Sequence, residues 1–234
     1  MPRDITDRFP GFEKFTTYGI YYPTHTGISD MLTKSVLNLK NGDKHSIKRW
    51  ANYIKKNFGF KIKNWILVRA LGHKELRSSG DEPLDKLGKL LVESSDISQA
   101  NHWLHKNRVT KALKFLNSND RKKELNDVYS FPTNKDPEIR NKRFGFLIYD
   151  DIVTTGTTIK VIADAIKKSW PNARLRGFAL LDTYDSHALQ DGNNNAVYNK
   201  IFPQNIADTD NYDDMLVDND KTMDAYEEWR KLNE

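Results

Sequence analysis

Two adjacent carboxylates, Asp150 and Asp151, stand between the apolar run Phe146-Leu147-Ile148-Tyr149 and the small-residue run Thr154-Thr155-Gly156-Thr157-Thr158, with Ile152 and Val153 intervening. Ionised carboxylates are acceptors suited to paired hydroxyls, as on a ribose ring. Neighbouring side chains diverge, so each acid is expected to have its own task. The threonine and glycine run offers consecutive backbone N–H groups, and Gly156 permits a left-handed turn or the close approach of a ligand. An anion fits such a turn. A phosphorylated ribose would satisfy both halves of the segment.

These groups need elements to hold them. Four apolar residues in succession, Phe146 to Tyr149, predict a strand buried on both faces, in the middle of a parallel sheet. The acids then fall at its carboxyl end, where open α/β sheets place their ligands. Ile159, Ile162, Ala163, Ile166 and Trp170 recur at helical spacing, with Lys160, Asp164, Lys167 and Lys168 on the opposite face. A helix is expected to start near Thr157 and end before Pro171, aiming its free N–H groups and partial positive charge into the turn. The plainer reading is an ordinary connection in which Thr154 or Thr157 only caps the helix.

The gapless segment Tyr149 to Thr158 resembles the phosphoribosyl pyrophosphate signature of type I phosphoribosyltransferases. The resemblance implies an α/β fold with a mostly parallel central sheet flanked by helices, a helical N-terminal elaboration and a small hood. It implies that Asp150 and Asp151 serve the ribose 2′ and 3′ hydroxyls, and that Thr154, Thr155, Gly156, Thr157 and Thr158 wrap the 5′-phosphate, with Ile152 and Val153 inside the binding segment. Magnesium is the implied cofactor, and phosphoribosyl pyrophosphate with a nitrogen-base acceptor are the implied partners. Feature order further resembles the ComF-like branch: Leu39-Lys40-Asn41-Gly42-Asp43 comes first, then a strand and loop over Trp65 to Gly80. A basic stretch with Arg108, Thr110, Leu116, Arg121, Asn126 and Phe131 follows. By that resemblance Arg69, Ala70, Leu71, Gly72, His73 and Lys74 are candidates for pyrophosphate contact, with Lys74 and Arg77 as charge partners. Arg108, Lys111 and Arg121 are candidates for a lid. A solvated basic loop and an exposed basic helix are the competing readings of these two groups. The chain departs from the pattern at Leu113, where a glutamine is expected, and at Val68-Arg69-Ala70-Leu71, which lacks a proline-rich start. Those departures leave open a second function, a non-catalytic module that senses a sugar phosphate or handles nucleic acid.

A chain of 234 residues is long enough for one core with elaborations. The expected division is an aromatic and helical elaboration over 1–60, a core over 61–183, and a hood with an acidic tail over 184–234. No stretch approaches ~18 consecutive apolar residues and no signal-peptide core follows the N-terminus, so a soluble, cytoplasmic protein is expected. The absence of cysteine excludes disulfides, thiolate zinc sites and thiol nucleophiles. Gln204 to Glu234 holds ten acids against three bases, about −7, while the whole chain is +5, so the remainder carries about +12. That surplus suits a polyanionic small substrate as well as nucleic acid.

Elsewhere, Phe9 to Tyr22 reads as an irregular aromatic segment, and Met31 to Leu39 and Ile47 to Ile54 as two helices around Asn41-Gly42-Asp43, with Asp30 or Ser29 capping the first. Trp65 to Val68 and Phe178 to Leu181 read as further strands, and Leu84 to Leu91 as a helix. Leu104 to Phe131 is expected to be partly mobile, with a broken helix at Ala112, Leu113 and Leu116. Tyr226, Trp229 and Leu232 predict a last helix, and Tyr184 to Asn211 belongs to the expected hood. His102 and His105 lack an evident third zinc ligand. Asp213 takes the glycine position of a calcium loop at Asp208, Asp210, Asp213 and Asp214. Lys40, Lys44, Lys48, Arg49, Lys55, Lys56, Lys61 and Lys63 with Trp50, Tyr53 and Phe58 offer a nucleic-acid surface. Helical spacing instead assigns Trp50, Ile54 and Phe58 to a core face.

Overall fold

The computed structural model describes residues 2–23, 30–58, 65–93, 97–113, 116–133, 144–183 and 193–203. In chain order the elements are β1 (Arg3–Asp4), β2 (Lys14–Thr17), β3 (Ile20–Tyr21), α1 (Met31–Lys40), α2 (Lys44–Phe58), β4 (Trp65–Arg69), α3 (Pro83–Val92) and β5 (Ile97–Gln99). They continue with β6 (His105–Lys106), α4 (Ser118–Leu125), β7 (Tyr129–Ser130), β8 (Gly145–Val153), α5 (Thr157–Ser169), β9 (Arg174–Thr183) and α6 (Asn193–Ile201).

Strands β2, β9, β8, β4 and β5 lie side by side and parallel, and β1 adds an antiparallel edge. The fold is therefore α/β with a mostly parallel central sheet flanked by helices. β8 is central, and Phe146, Leu147, Ile148 and Tyr149 are fully buried. Their side chains alternate between two cores. Phe146 and Ile148 join α5 and the N-terminal phenylalanines on one face, while Leu147 and Tyr149 join α1, α2, α3 and α6 on the other. Burial on both faces explains the uninterrupted apolar run.

Several elements differ from the sequence reading. β8 runs on through the acids to Val153, with Asp150 opposite Ala179 and Val153 opposite Asp182. The N-terminal aromatic segment is not irregular: β2 and β3 both pair with β9, interrupted at Tyr18-Gly19, where Tyr18 N–H still donates to Leu180 O at 3.1 Å. The elaboration is thus part of the sheet as well as helical. Phe9 and Phe15 stack at 3.9 Å, with Phe12 edge-on to both. In the basic stretch the helix is α4, capped by Asn117, and Ala112 and Leu113 precede it.

Asp30 caps α1 by accepting from Thr33 N–H at 2.7 Å. Trp50, Tyr53 and Ile54 are buried, so the Trp50 and Tyr53 rings belong to the core and are closed to base stacking. Lys61, Lys63, Ser29, Lys114, the acidic tail, the last predicted helix and most of the expected hood lie outside the described residues. No described helix is long and apolar enough to cross a membrane.

Gly88 marks where α3 meets the sheet. A Cβ there would overlap the Gln99 amide nitrogen and the Tyr149 hydroxyl, which donates to Leu84 O at 2.8 Å. Glycine to alanine inside a helix ordinarily gains about 1 kcal/mol. Overpacking costs about 1–3 kcal/mol, and loss of the tyrosine hydrogen bond adds about 1 kcal/mol. Overpacking should win, so Gly88→Ala is expected to lower unfolding free energy by about 1–3 kcal/mol in urea titration. A stabilised variant would show that α3 docks elsewhere.

Candidate functional site

β4 and β8 are neighbours in parallel register, with Arg69 opposite Tyr149. The loop after Arg69 therefore leaves the sheet beside the acids, which are still part of β8, at the ~4.8 Å spacing of adjacent strands. Both carboxylates line one cavity of about 490 Å³, together with Lys40, residues Arg69 to His73, and Thr158.

The two acids differ electrostatically. Lys40, at the last residue of α1, pairs with Asp151 at 2.9 Å. Burial would lower the Lys40 pKa, but Asp151 and Asp150 together hold it above its ordinary value. Asp150 instead accepts from the Asp151 N–H at 2.8 Å. Burial, and secondarily the Asp151 charge, push its pKa up to about 7. One carboxylate is thus charge-compensated, and the other sits near the boundary of protonation at neutral pH.

Beyond them the chain turns into α5 through Gly156, at φ +74°, where a Cβ would lie 2.6 Å from the Phe9 ring. Left-handed backbone and close packing both select glycine. No side chain caps this helix, and its first intrahelical bond is Lys160 N–H to Gly156 O at 3.0 Å. The amides of Thr157, Thr158 and Ile159 are left for a ligand. The capping role considered for Thr154 or Thr157 is not what the threonines do: Thr157 and Thr155 share a hydroxyl hydrogen bond at 2.8 Å, and Thr154 is held by two arginines. Arg121 donates to the Thr154 hydroxyl at 3.0 Å, and Arg8 donates to its carbonyl while pairing with Asp182 at 2.6 Å. Ile152 and Val153 turn their side chains into the two cores, leaving only backbone to the site.

The loop after β4 is organised by Arg69, which is 1% exposed. Its five N–H groups are all used: Nε and Nη2 go to Asp85 at 2.6 and 2.8 Å, Nη1 and Nη2 to Glu75 at 2.8 and 2.6 Å, and Nη1 also to Ala70 O at 3.1 Å. Every donor of the side chain is thus engaged within the protein, although Arg69 lines the cavity. Burial alone would raise the Glu75 and Asp85 pKa values, but Arg69 brings both below the ordinary range. Lys74 and Arg77 are exposed and outside the cavity lining, which does include Glu75. Among the described residues, the amides of Leu71, His73 and Lys74 carry no hydrogen bond.

Over this loop lies a flap in which β6 pairs with β7, and Lys106 N–H donates to Leu76 O at 2.6 Å. Of the expected lid residues, Arg108 is tied to Glu124 at 2.9 Å, Lys111 is exposed with its amide on Glu124, and Arg121 reaches Thr154 in the turn before α5. Thr110, Ala112 and Leu113 supply the cavity wall. Sequence reasoning missed Arg8 and Lys106. A basic residue beside Phe9, whose ring meets Gly156, was the available signal for Arg8; nothing local distinguished Lys106 from its basic neighbours.

Among the described residues no three His, Cys, Asp or Glu side chains gather as a metal cage, so His102 and His105 acquire no third ligand there. Two carboxylates in a shared cavity suit magnesium, which keeps several waters and substrate oxygens in its shell. The calcium-like aspartates fall outside the described residues.

No protein family matches the sequence, and no curated protein matches it. Among solved structures, two crystal forms of a hypoxanthine phosphoribosyltransferase from Staphylococcus aureus are similar. The tetragonal form shares 16% identity at a TM-score of 0.32, over 64% of this chain and 64% of that one. The orthorhombic form shares 17% at 0.32, over 71% and 77%. This chain thus spans just under two thirds of the first.

The raised pKa of Asp150 has a stability consequence. A carboxyl whose folded pKa lies above its unfolded value binds more protons when folded, so its contribution falls as pH rises between the two. From about pH 4 to about pH 7, wild-type unfolding free energy should decline relative to Asp150→Asn. Urea titrations across that range would test this, and parallel curves would show that Asp150 ionises normally.

Proposed function

We propose that this chain binds phosphoribosyl pyrophosphate and transfers its phosphoribosyl group to a nucleobase or related nitrogen acceptor, releasing pyrophosphate. The carrying observation is the convergence on one cavity of the acid pair, the N-terminal end of α5 and the loop after β4. The ribose lies over Asp150 and Asp151, its 5′-phosphate at Thr154 to Thr158, and its pyrophosphate toward Leu71, Gly72, His73 and Lys74. In the reaction the C1–oxygen bond breaks, and its electron pair leaves with pyrophosphate. The acceptor nitrogen forms the new bond to C1 and gives up a proton. Positive charge develops at C1, so fixing the sugar and the leaving group matters more than a nucleophilic side chain. Magnesium, when bound, would offset pyrophosphate charge, and Asp150 and Asp151 are the residues that would hold it on the protein side.

The chain acts in this reading as one domain in the cytoplasm, with the acceptor base met by the hood. Placement of Leu39 and Lys40 against the cavity supports the ComF-like branch, whose leucine-lysine turn they match. The second reading, binding without turnover, is favoured by the cavity-facing Glu75 and Leu113.

Asp150→Asn with Asp151→Asn is expected to weaken phosphoribosyl pyrophosphate binding on the order of 100-fold, since charge-assisted hydrogen bonds to two hydroxyls are lost. The fold should remain intact. Calorimetric titration beside a thermal melt checks this; undiminished affinity would remove the assignment. Pyrophosphate release with a panel of bases separates the two readings, because tight binding with no turnover on any base supports the sensor.

A further inference from the structure

Lys106 is a basic side chain with no carboxylate partner among the described residues, yet it is only 4% exposed. A buried ammonium needs acceptors. Its Nζ donates to the carbonyls of Gly72 and His73, both at 3.0 Å, and to the Thr110 hydroxyl at 3.0 Å. Thr110 reinforces the contact, since its N–H donates to the His73 carbonyl at 3.0 Å and its hydroxyl approaches the same oxygen at 3.2 Å. The loop's carbonyls are therefore bound on the flap side, while the amides of Leu71, His73 and Lys74 are unengaged. A loop with its carbonyls occupied and its amides free is polarised to receive an anion.

Resting on the proposed phosphoribosyl reading, we infer that Lys106 is a positioning residue: it fixes the Leu71–Lys74 loop in its pyrophosphate-receiving form by holding the Gly72 and His73 carbonyls. It touches neither sugar nor pyrophosphate. Its charge also acts on Glu75, one of the two carboxylates that Arg69 faces.

Burial pulls the Lys106 pKa down to about 8; Glu75 and Glu124 oppose the fall and Arg108 adds to it. The Tyr129 ring, 5.9 Å from the ammonium, closes the remaining side. Loss of the proton above that pH removes one of the three donors and the charge that orders the loop.

The test compares two probes by calorimetry. Lys106→Met keeps the aliphatic length and removes every donor. It is expected to bind ribose 5-phosphate as wild type does, while affinity for magnesium pyrophosphate falls at least about tenfold, as loss of charged hydrogen bonds implies. Equal pyrophosphate affinity in the variant would overturn the inference. Should the variant not fold, wild type decides: its pyrophosphate affinity, relative to ribose 5-phosphate, should drop as pH passes from 7 to 9, and a flat ratio would overturn the inference. Failure of wild type to bind ribose 5-phosphate at all would instead defeat the underlying phosphoribosyl reading, so the two failures are told apart.

Discussion

A guanidinium withdrawn from water at the carboxyl end of β4 is the constraint on which the site depends. Arg69 must be compensated where it lies, and Asp85 and Glu75 do so from α3 and from the loop itself. Asp85 also accepts from Ser78 and Asn101, each at 2.7 Å, and the Asn101 side chain accepts the Arg69 backbone N–H at 2.9 Å. One ionic cluster thus ties a strand, a helix and two loops. Buried pairs seldom add much net stability compared with apolar packing, but removing one partner strands the other at a cost of about 3–5 kcal/mol. Such a cluster tolerates little drift, which gives a glycine-containing loop beside a cavity a single shape.

The same economy of compensation distinguishes the two acids. Lys40 ends α1, where the helix dipole favours a cation, and its ammonium settles on Asp151 rather than between the two carboxylates. Among the described residues the hydrogen-bond donor to Asp150 is a neighbouring amide, so burial dominates and its proton is retained more readily. Adjacent residues of identical type therefore present different faces to a ligand: one neutralised by an ammonium that an incoming group would have to displace or share, the other ready to take up charge as a cation or hydroxyl arrives.

How much of this was legible depended on contiguity. The strand, acids, glycine turn and helix from Phe146 to Trp170 follow one another directly, and local periodicity locates them. β2 and β3 escaped because Lys-Phe-Thr-Thr and Ile-Tyr are too short to show alternation, and their strand character comes from β9 alongside. The burial of Arg69 was not legible, because charge at the edge of a loop reads as solvent-facing. Its partner Asp85 lies sixteen residues on, inside a helix whose sequence gives no sign that an acid is only 1% exposed. Lys106 was hidden for the complementary reason: one lysine in a run of basic residues carries no mark of being the one that folds inward.

The ends of the cavity differ in what they offer an anion. At the turn before α5, helix amides are backed by Arg8 and Arg121 on Thr154, and Phe9 closes against Gly156, so neutral donors are flanked by positive charge. At the other end Arg69 is engaged internally, Lys74 and Arg77 face solvent, and Glu75 is a carboxylate of the loop that lines the cavity. Free amides there can orient an anion, but they cannot balance the charge of a pyrophosphate beside a carboxylate. In the proposed function that balance would come from a cation brought in with the ligand, which Asp150 and Asp151 would accept. The asymmetry gives one end of the cavity positive charge of its own and leaves the other with free amides beside a carboxylate.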